Sequence, residues 1–146
     1  MRIIQLENLT KEQIGDVIDV VALALSPGSL IFLEGDPGSG KTFLISQLLW
    51  RFDISEVASP TFALHHRYKS QDHLFHHFDL YRVESEDELE TVGLWDLMNE
   101  DRDAIFLIEW ASKFPVDIWP MQSMQIKIEI TDHGQDARDY KLTLQD

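Results

Sequence analysis

The chain has no cysteine, so disulfides, thiolate zinc sites and cysteine nucleophiles are all excluded. It has few basic residues: Lys and Arg together number 12 against 26 Asp and Glu, a formal net charge of −14. A protein that grips nucleic acid unaided needs a basic footprint to displace counterions. None is present here, so any work on RNA requires a partner to supply the grip. No run of eighteen apolar residues occurs, which argues against a membrane-spanning helix. The first residues, MRIIQLENLTKEQ, contain no apolar core followed by a small-residue cleavage site. They read as a mature, non-secreted chain, and the expected location is the cytoplasm.

What is present suffices for one core. The 146 residues are 44% hydrophobic, and that length predicts a single domain over residues 1–146. Between Thr10 and Leu25 the apolar positions Ile14, Val17, Ile18, Val21, Ala22 and Leu25 recur at helical spacing, with Thr10 and Gln13 in the positions of a capping box. Leu30 to Leu33 is a short continuous apolar run, suited to a strand buried on both faces. A helix is predicted from Phe43 to Trp50. Strands are predicted over Phe62–Tyr68, Leu74–Leu80 and Ala104–Ile108, and an acidic helix over Glu84–Val92. MQIKIEI (124–130) and YKLTL (140–144) alternate as a hairpin around Asp132, His133 and Gly134. Helices and buried strands in alternation predict an α/β fold with a largely parallel sheet, flanked by helices and closed by a C-terminal β-hairpin.

Between the first buried strand and the helix after it lies LEGDPGSGKTF, which carries Gly35, four residues, then Gly40-Lys41-Thr42. This is the phosphate-cradling pattern G-x-x-x-x-G-K-[ST] in its required context of strand and helix. Its glycines let backbone N–H groups turn inward, and the helix N-terminus adds a favourable dipole for anions. Lys41 is placed to reach the outer phosphates, and the Thr42 hydroxyl to ligate Mg²⁺. Such a site needs acids, and two stand where strands end: Glu109 after the apolar run 105–108, and Asp79 after LFHHF. Carboxyl ends of parallel strands are where open α/β sheets bind ligands. The six histidines include His65-His66 and His76-His77. Neighbours along a strand face opposite ways, so neither pair converges on one metal. His77 is expected to help set the fold around Asp79. Trp50, Trp95 and Trp119 are expected in the core or at its rim.

Five stretches in order, GDPGSGKT, SPTFAL (59–64), HFDLYR (77–82), ELETVGL (88–94) and LIEWASKFP (107–115), make the chain resemble the TsaE (YjeE) family, the small ATPases of bacterial tRNA threonylcarbamoyladenosine synthesis. The resemblance covers nearly the whole chain. It implies an ATP-binding domain that works with the partner proteins TsaD and TsaB, meets tRNA only through that complex, and hydrolyses ATP slowly alone. By the resemblance, Gly35, Pro37, Gly38, Ser39, Gly40, Lys41, Thr42 and Phe43 form the phosphate site, Thr42 and Glu109 match the Mg²⁺ ligands, and Asp79 matches the acid that acts in hydrolysis. Thr61 matches a switch residue that senses the γ-phosphate, and Trp110 the tryptophan beside the metal acid. The adenine pocket is expected near Thr10 and the C-terminal strands. The chain departs from the family at Arg51-Phe52-Asp53, where a glycine is usual. It departs again at Gly134-Gln135, where a Gly-Arg pair is common and Arg138 would have to serve. Two other readings stay open: a small-molecule kinase, and a nucleotide-gated binding module without hydrolysis. A kinase needs a substrate pocket and arginines that close on the phosphate, and the arginines here are scattered. A GTPase is disfavoured because no N-K-x-D motif occurs.

Overall fold

The computed structural model describes residues 1–56, 64–120 and 124–146. Its strands are β1 (Arg2–Leu9), β2 (Leu30–Glu34), β3 (His65–Lys69), β4 (Leu74–Asp79), β5 (Ile105–Glu109), β6 (Gln125–Asp132) and β7 (Arg138–Gln145). Its helices are α1 (Gly15–Ala24), α2 (Lys41–Arg51), α3 (Glu86–Thr91) and α4 (Leu94–Glu100). All seven strands join one sheet in the order β1-β7-β6-β2-β5-β4-β3. The middle, β6-β2-β5-β4, is parallel. Both margins are antiparallel, through β1/β7 and β6/β7 on one side and β3/β4 on the other. The expected C-terminal hairpin is the β6/β7 pair.

Alternation along the buried strands divides the core in two. On one face Ile31, Leu33, Phe75, Leu107, Ile126 and Ile128 pack against α1 and α2 through Val17, Val21, Leu44, Ile45 and Leu48. On the other, Leu30, Phe32, Phe78, Phe106 and Ile108 meet Leu89, Leu94, Met98 and Trp119. The result is a sheet with helices on both faces, in which every residue of β5 is buried. That double burial is why β2 and β5 read as unbroken apolar runs.

Local chemistry sets the helix ends. The anticipated capping box forms at Thr10 and Gln13, with the Thr10 N–H donating to the Gln13 side-chain oxygen at 2.9 Å, while Lys11–Gln13 forms a 3-10 turn and the α-helix begins only at Gly15. Ser85 Oγ accepts from the Glu88 N–H and starts the acidic α3. After α2 the chain turns through Asp53, with φ +66°. The Asp53 N–H donates to the Trp50 carbonyl and the Ile54 N–H to the Leu49 carbonyl, both at 3.0 Å. This is a Schellman ending, whose left-handed position usually holds glycine. The departure noted at 51–53 therefore leaves the turn intact, with an aspartate in the strained position.

The adjacent β4 histidines diverge. His76, fully buried, receives or donates at both ring nitrogens: Nδ1 lies 2.7 Å from His65 Nε2, and Nε2 lies 2.8 Å from Asp101 Oδ2. His65 also stacks on Phe78 at 4.4 Å between ring centroids. Burial, with the neighbouring His76, His66, His77 and Arg67, pushes the His65 pKa down to about 4, and burial also lowers that of His76 against the pull of Asp101. An unfolded histidine takes up its proton near pH 6.5. The folded His65 refuses it until about pH 4. The unfolded state thus binds more protons in that window, so the stabilising contribution is whole above pH 6.5 and is lost as pH falls toward 4. We predict that the melting temperature falls across this range, and that His65→Phe, which keeps the stack, gives a shallower fall. Parallel pH–melting curves of the two proteins check this.

Candidate functional site

The glycine-rich segment leaves the C-terminal end of β2 and turns into α2 at Gly40, where φ is +110°. A side chain there would be strained, so glycine is needed to bring the loop amides round to the helix end. Gly35 meets a second constraint: a Cβ on it would lie 2.5 Å from Ser39 Oγ and 3.1 Å from the Ile130 carbonyl. The helix thus begins with Lys41 and Thr42, whose N–H groups have no partner within the helix.

Those strand ends carry the two expected acids. Asp79 and Glu109 are register partners on neighbouring parallel strands. With Pro37, Gly38, Gly40, Lys41, Thr42 and Phe43 they line one cavity of about 460 Å³, which Trp110 and Tyr81 complete. Glu109 is 4% exposed and Lys41 7%. Burial pushes the Asp79 carboxyl above its usual range and the nearby Glu109 charge adds to this, while the Tyr81 amide, His77 and Lys41 pull the other way. Asp79 Oδ1 accepts the Tyr81 N–H at 3.0 Å. Two acids held this close favour a bound cation, and the Thr42 hydroxyl and Glu109 carboxylate are the hard oxygen donors that Mg²⁺ takes. The donor set fits that ion.

Lys41 does not stand free. Its ammonium donates to the Gly35 carbonyl and lies 4.4 Å from the centre of the Trp110 ring, a favourable cation–π placement. Trp110 itself has φ +65°, which swings its ring back over the cavity immediately after Glu109. Tyr81 packs on it at 5.0 Å. Lys113 fastens the turn after Asp79, donating to the carbonyls of Leu80, Tyr81 and Val83 at 3.3, 2.6 and 2.7 Å. Glu34 accepts from both the backbone N–H and the hydroxyl of Ser112, at 3.0 and 2.8 Å, tying the end of β2 to the segment after β5.

Not all expected residues meet in this cavity. Gly35 and Ser39 line a second cavity of about 460 Å³ between the glycine-rich loop and the β6/β7 turn. The Arg138 Nε donates to the Ser39 carbonyl at 2.9 Å, and its guanidinium pairs with Asp132 at 3.2 Å. Arg138 therefore braces the back of the loop. Thr10 is exposed. Its neighbour Lys11 lies 5.4 Å over the Phe43 ring, beside the cavity rim. Thr61 lies outside the described residues. His77, expected to help set the fold around Asp79, acts on that carboxyl and also bonds to Glu109, with 2.7 Å between His77 Nε2 and Glu109 Oε2. Sequence reasoning assigns no role to Tyr81, Lys113 or the Glu34–Ser112 pair. Tyr81 lies within HFDLYR and Ser112 and Lys113 within LIEWASKFP, but the contacts that Lys113 and Glu34 make reach across the fold and are not written in those stretches.

Fold and site together define a nucleotide-binding P-loop domain. Residues 9–140 match the family described as "Threonylcarbamoyl adenosine biosynthesis protein TsaE". The chain belongs to the TsaE family. Among curated relatives, a "tRNA threonylcarbamoyladenosine biosynthesis protein TsaE" of Rickettsia felis is 29% identical over 127 residues, covering 86% of this chain and 72% of that protein. The protein of the same description from Haemophilus influenzae is 37% identical over 117 residues, 80% of this chain and 70% of its own length. Among solved structures, Bacillus subtilus YdiB superposes with a TM-score of 0.67 at 22% identity, over 97% of this chain and 84% of that one, a likeness of fold.

Proposed function

We propose that the chain is an ATP-binding, slowly hydrolysing subunit that acts with TsaD and TsaB in threonylcarbamoyladenosine modification of tRNA next to the anticodon. One observation carries the reading. In a chain matched over residues 9–140 by the TsaE family, Lys41, Thr42, Asp79 and Glu109 line a single cavity at the carboxyl ends of β2, β4 and β5. The amides of Gly38 to Thr42 hold the phosphates, Lys41 meets the outer ones, and Phe43 lines the same cavity, while the resemblance assigns Thr10 and Arg138 to the nucleotide although neither lines that cavity. Thr42 and Glu109 hold Mg²⁺, which when bound neutralises charge on the phosphate oxygens. Burial pushes the Asp79 carboxyl above its usual range, which supports a role for it in orienting the water that attacks the terminal phosphate, and the resemblance assigns sensing of the γ-phosphate to Thr61. Engagement of the Lys41 ammonium on Gly35 and Trp110 supports slow turnover in isolation. The acidic surface supports indirect contact with tRNA, through the complex, and the expected place of work is the cytoplasm. Among the described residues no arginine lines the cavity, which weighs against the kinase reading. No described helix is long and apolar enough to cross a membrane.

Nucleoside analysis of tRNA tests the reading. Cells depleted of this chain are expected to lose threonylcarbamoyladenosine, and the wild-type chain is expected to restore it. Unchanged modified nucleoside after depletion contradicts the proposal.

A further inference from the structure

β4 places two fully buried histidines side by side, and each holds a different acid, Asp101 at the end of α4 and Glu109 on the adjacent β5. His76 uses both ring nitrogens, on His65 and Asp101. His77 uses one. Its Nε2 lies 2.7 Å from Glu109 Oε2, while its Nδ1 is buried and has no hydrogen-bond partner among the described residues. A carboxylate oxygen accepts, so the proton of the bond sits on Nε2. The ring is fixed on every side. It is 0% exposed, and its strand pairs with β5 through the His77–Leu107 register two residues before Asp79–Glu109. Glu109 is nearly as buried, and has one oxygen committed to this bond.

We infer that His77 is a positioning residue for Glu109: donation from Nε2 to Oε2 locks the carboxylate and leaves Oε1 as the oxygen presented to a divalent cation. The inference rests on the reading that Glu109 holds the cation. A carboxylate free to rotate offers its charge at several positions, whereas one held by a buried donor offers a single oxygen in a single place. Such outer partners of metal ligands typically change metal affinity about 10- to 100-fold when removed.

Two variants and a spectrum test it. His77→Leu keeps the bulk and removes the donor, and His77→Gln puts an amide donor at a similar reach. Fluorescent ATP-analogue binding is titrated with Mg²⁺ and repeated without metal, beside melting curves. His77→Leu is expected to raise the Mg²⁺ concentration for half-maximal binding about 10- to 100-fold, with metal-free binding unchanged and His77→Gln close to the parent. In the parent, nitrogen NMR of labelled histidine is expected to show a proton on His77 Nε2. A His77→Leu protein with parental Mg²⁺ dependence overturns the inference. So does equal impairment of both variants, which marks a merely structural ring, or a His77 without a proton on Nε2, a result that stands even where the leucine variant does not fold. Glu109→Gln separates the two levels. Parental Mg²⁺ dependence in that variant refutes the cation site itself, whereas impairment there with none in His77→Leu refutes only the role of His77.

Discussion

Lys41→Ala abolishes ATP turnover, by about 100-fold or more, the range set by removing one preorganised donor at developing charge. Lys41 is the only cationic side chain lining the cavity among the described residues, and it faces two carboxylates, Asp79 and Glu109. A triphosphate entering a chain of net charge −14 meets repulsion that the loop amides alone do not offset. Losing the ammonium removes a charge-assisted hydrogen bond, worth about 1.5–3 kcal/mol. Nucleotide affinity is therefore expected to fall by at least about tenfold as well. The fold is expected to survive, because alanine is a good residue for the first turn of α2 and the Gly35 carbonyl that Lys41 leaves can bind water. Titration with a fluorescent nucleotide and a phosphate-release assay check both halves. Parental binding and turnover in the variant would remove the glycine-rich loop from the active site.

Glu109→Gln has the second large effect, and it has a sign. Removing this carboxylate weakens Mg²⁺ binding, since each unit-charge pair at about 4 Å is worth about 4 kcal/mol even at an effective dielectric of about 20. The Mg²⁺ requirement is expected to rise by more than tenfold. Metal-free ATP, itself anionic, loses a repelling neighbour, so its affinity is expected to stay the same or improve. Glutamine rather than alanine is the informative replacement. It retains an acceptor for His77, whereas alanine would leave that buried donor unpaired at a further cost of about 1–3 kcal/mol. Nucleotide titrations with and without Mg²⁺ give the comparison. A uniform loss of affinity in both conditions would place Glu109 outside the cation site.

Much of the site is legible in the residue order itself. The glycine pattern ties residue type directly to backbone geometry, because the positive φ at Gly38 and Gly40 is one that other residues rarely adopt. The two acids are legible because burial keeps carboxylates out of β4 and β5 until the strand end, where one can reappear. β1 is not legible. It pairs with β7 alone, and most of its residues are exposed, so it has no clean alternation. The seven-residue α4 is too short to show a helical period. The histidine contacts depend on register. That β3 brings His65 against His76, and that His77 reaches Glu109 from the adjacent strand, follows from pairings no local pattern encodes. Arg138 likewise can be placed near the nucleotide by position, but its hold on the Ser39 carbonyl is a contact between residues far apart in sequence.

The most direct test of the account is ATP turnover by the purified chain, first alone and then with TsaD, TsaB and tRNA. The account predicts little turnover alone and clear stimulation by the partners, with Lys41→Ala silent in both conditions. Brisk turnover alone that the partners leave unchanged would contradict it.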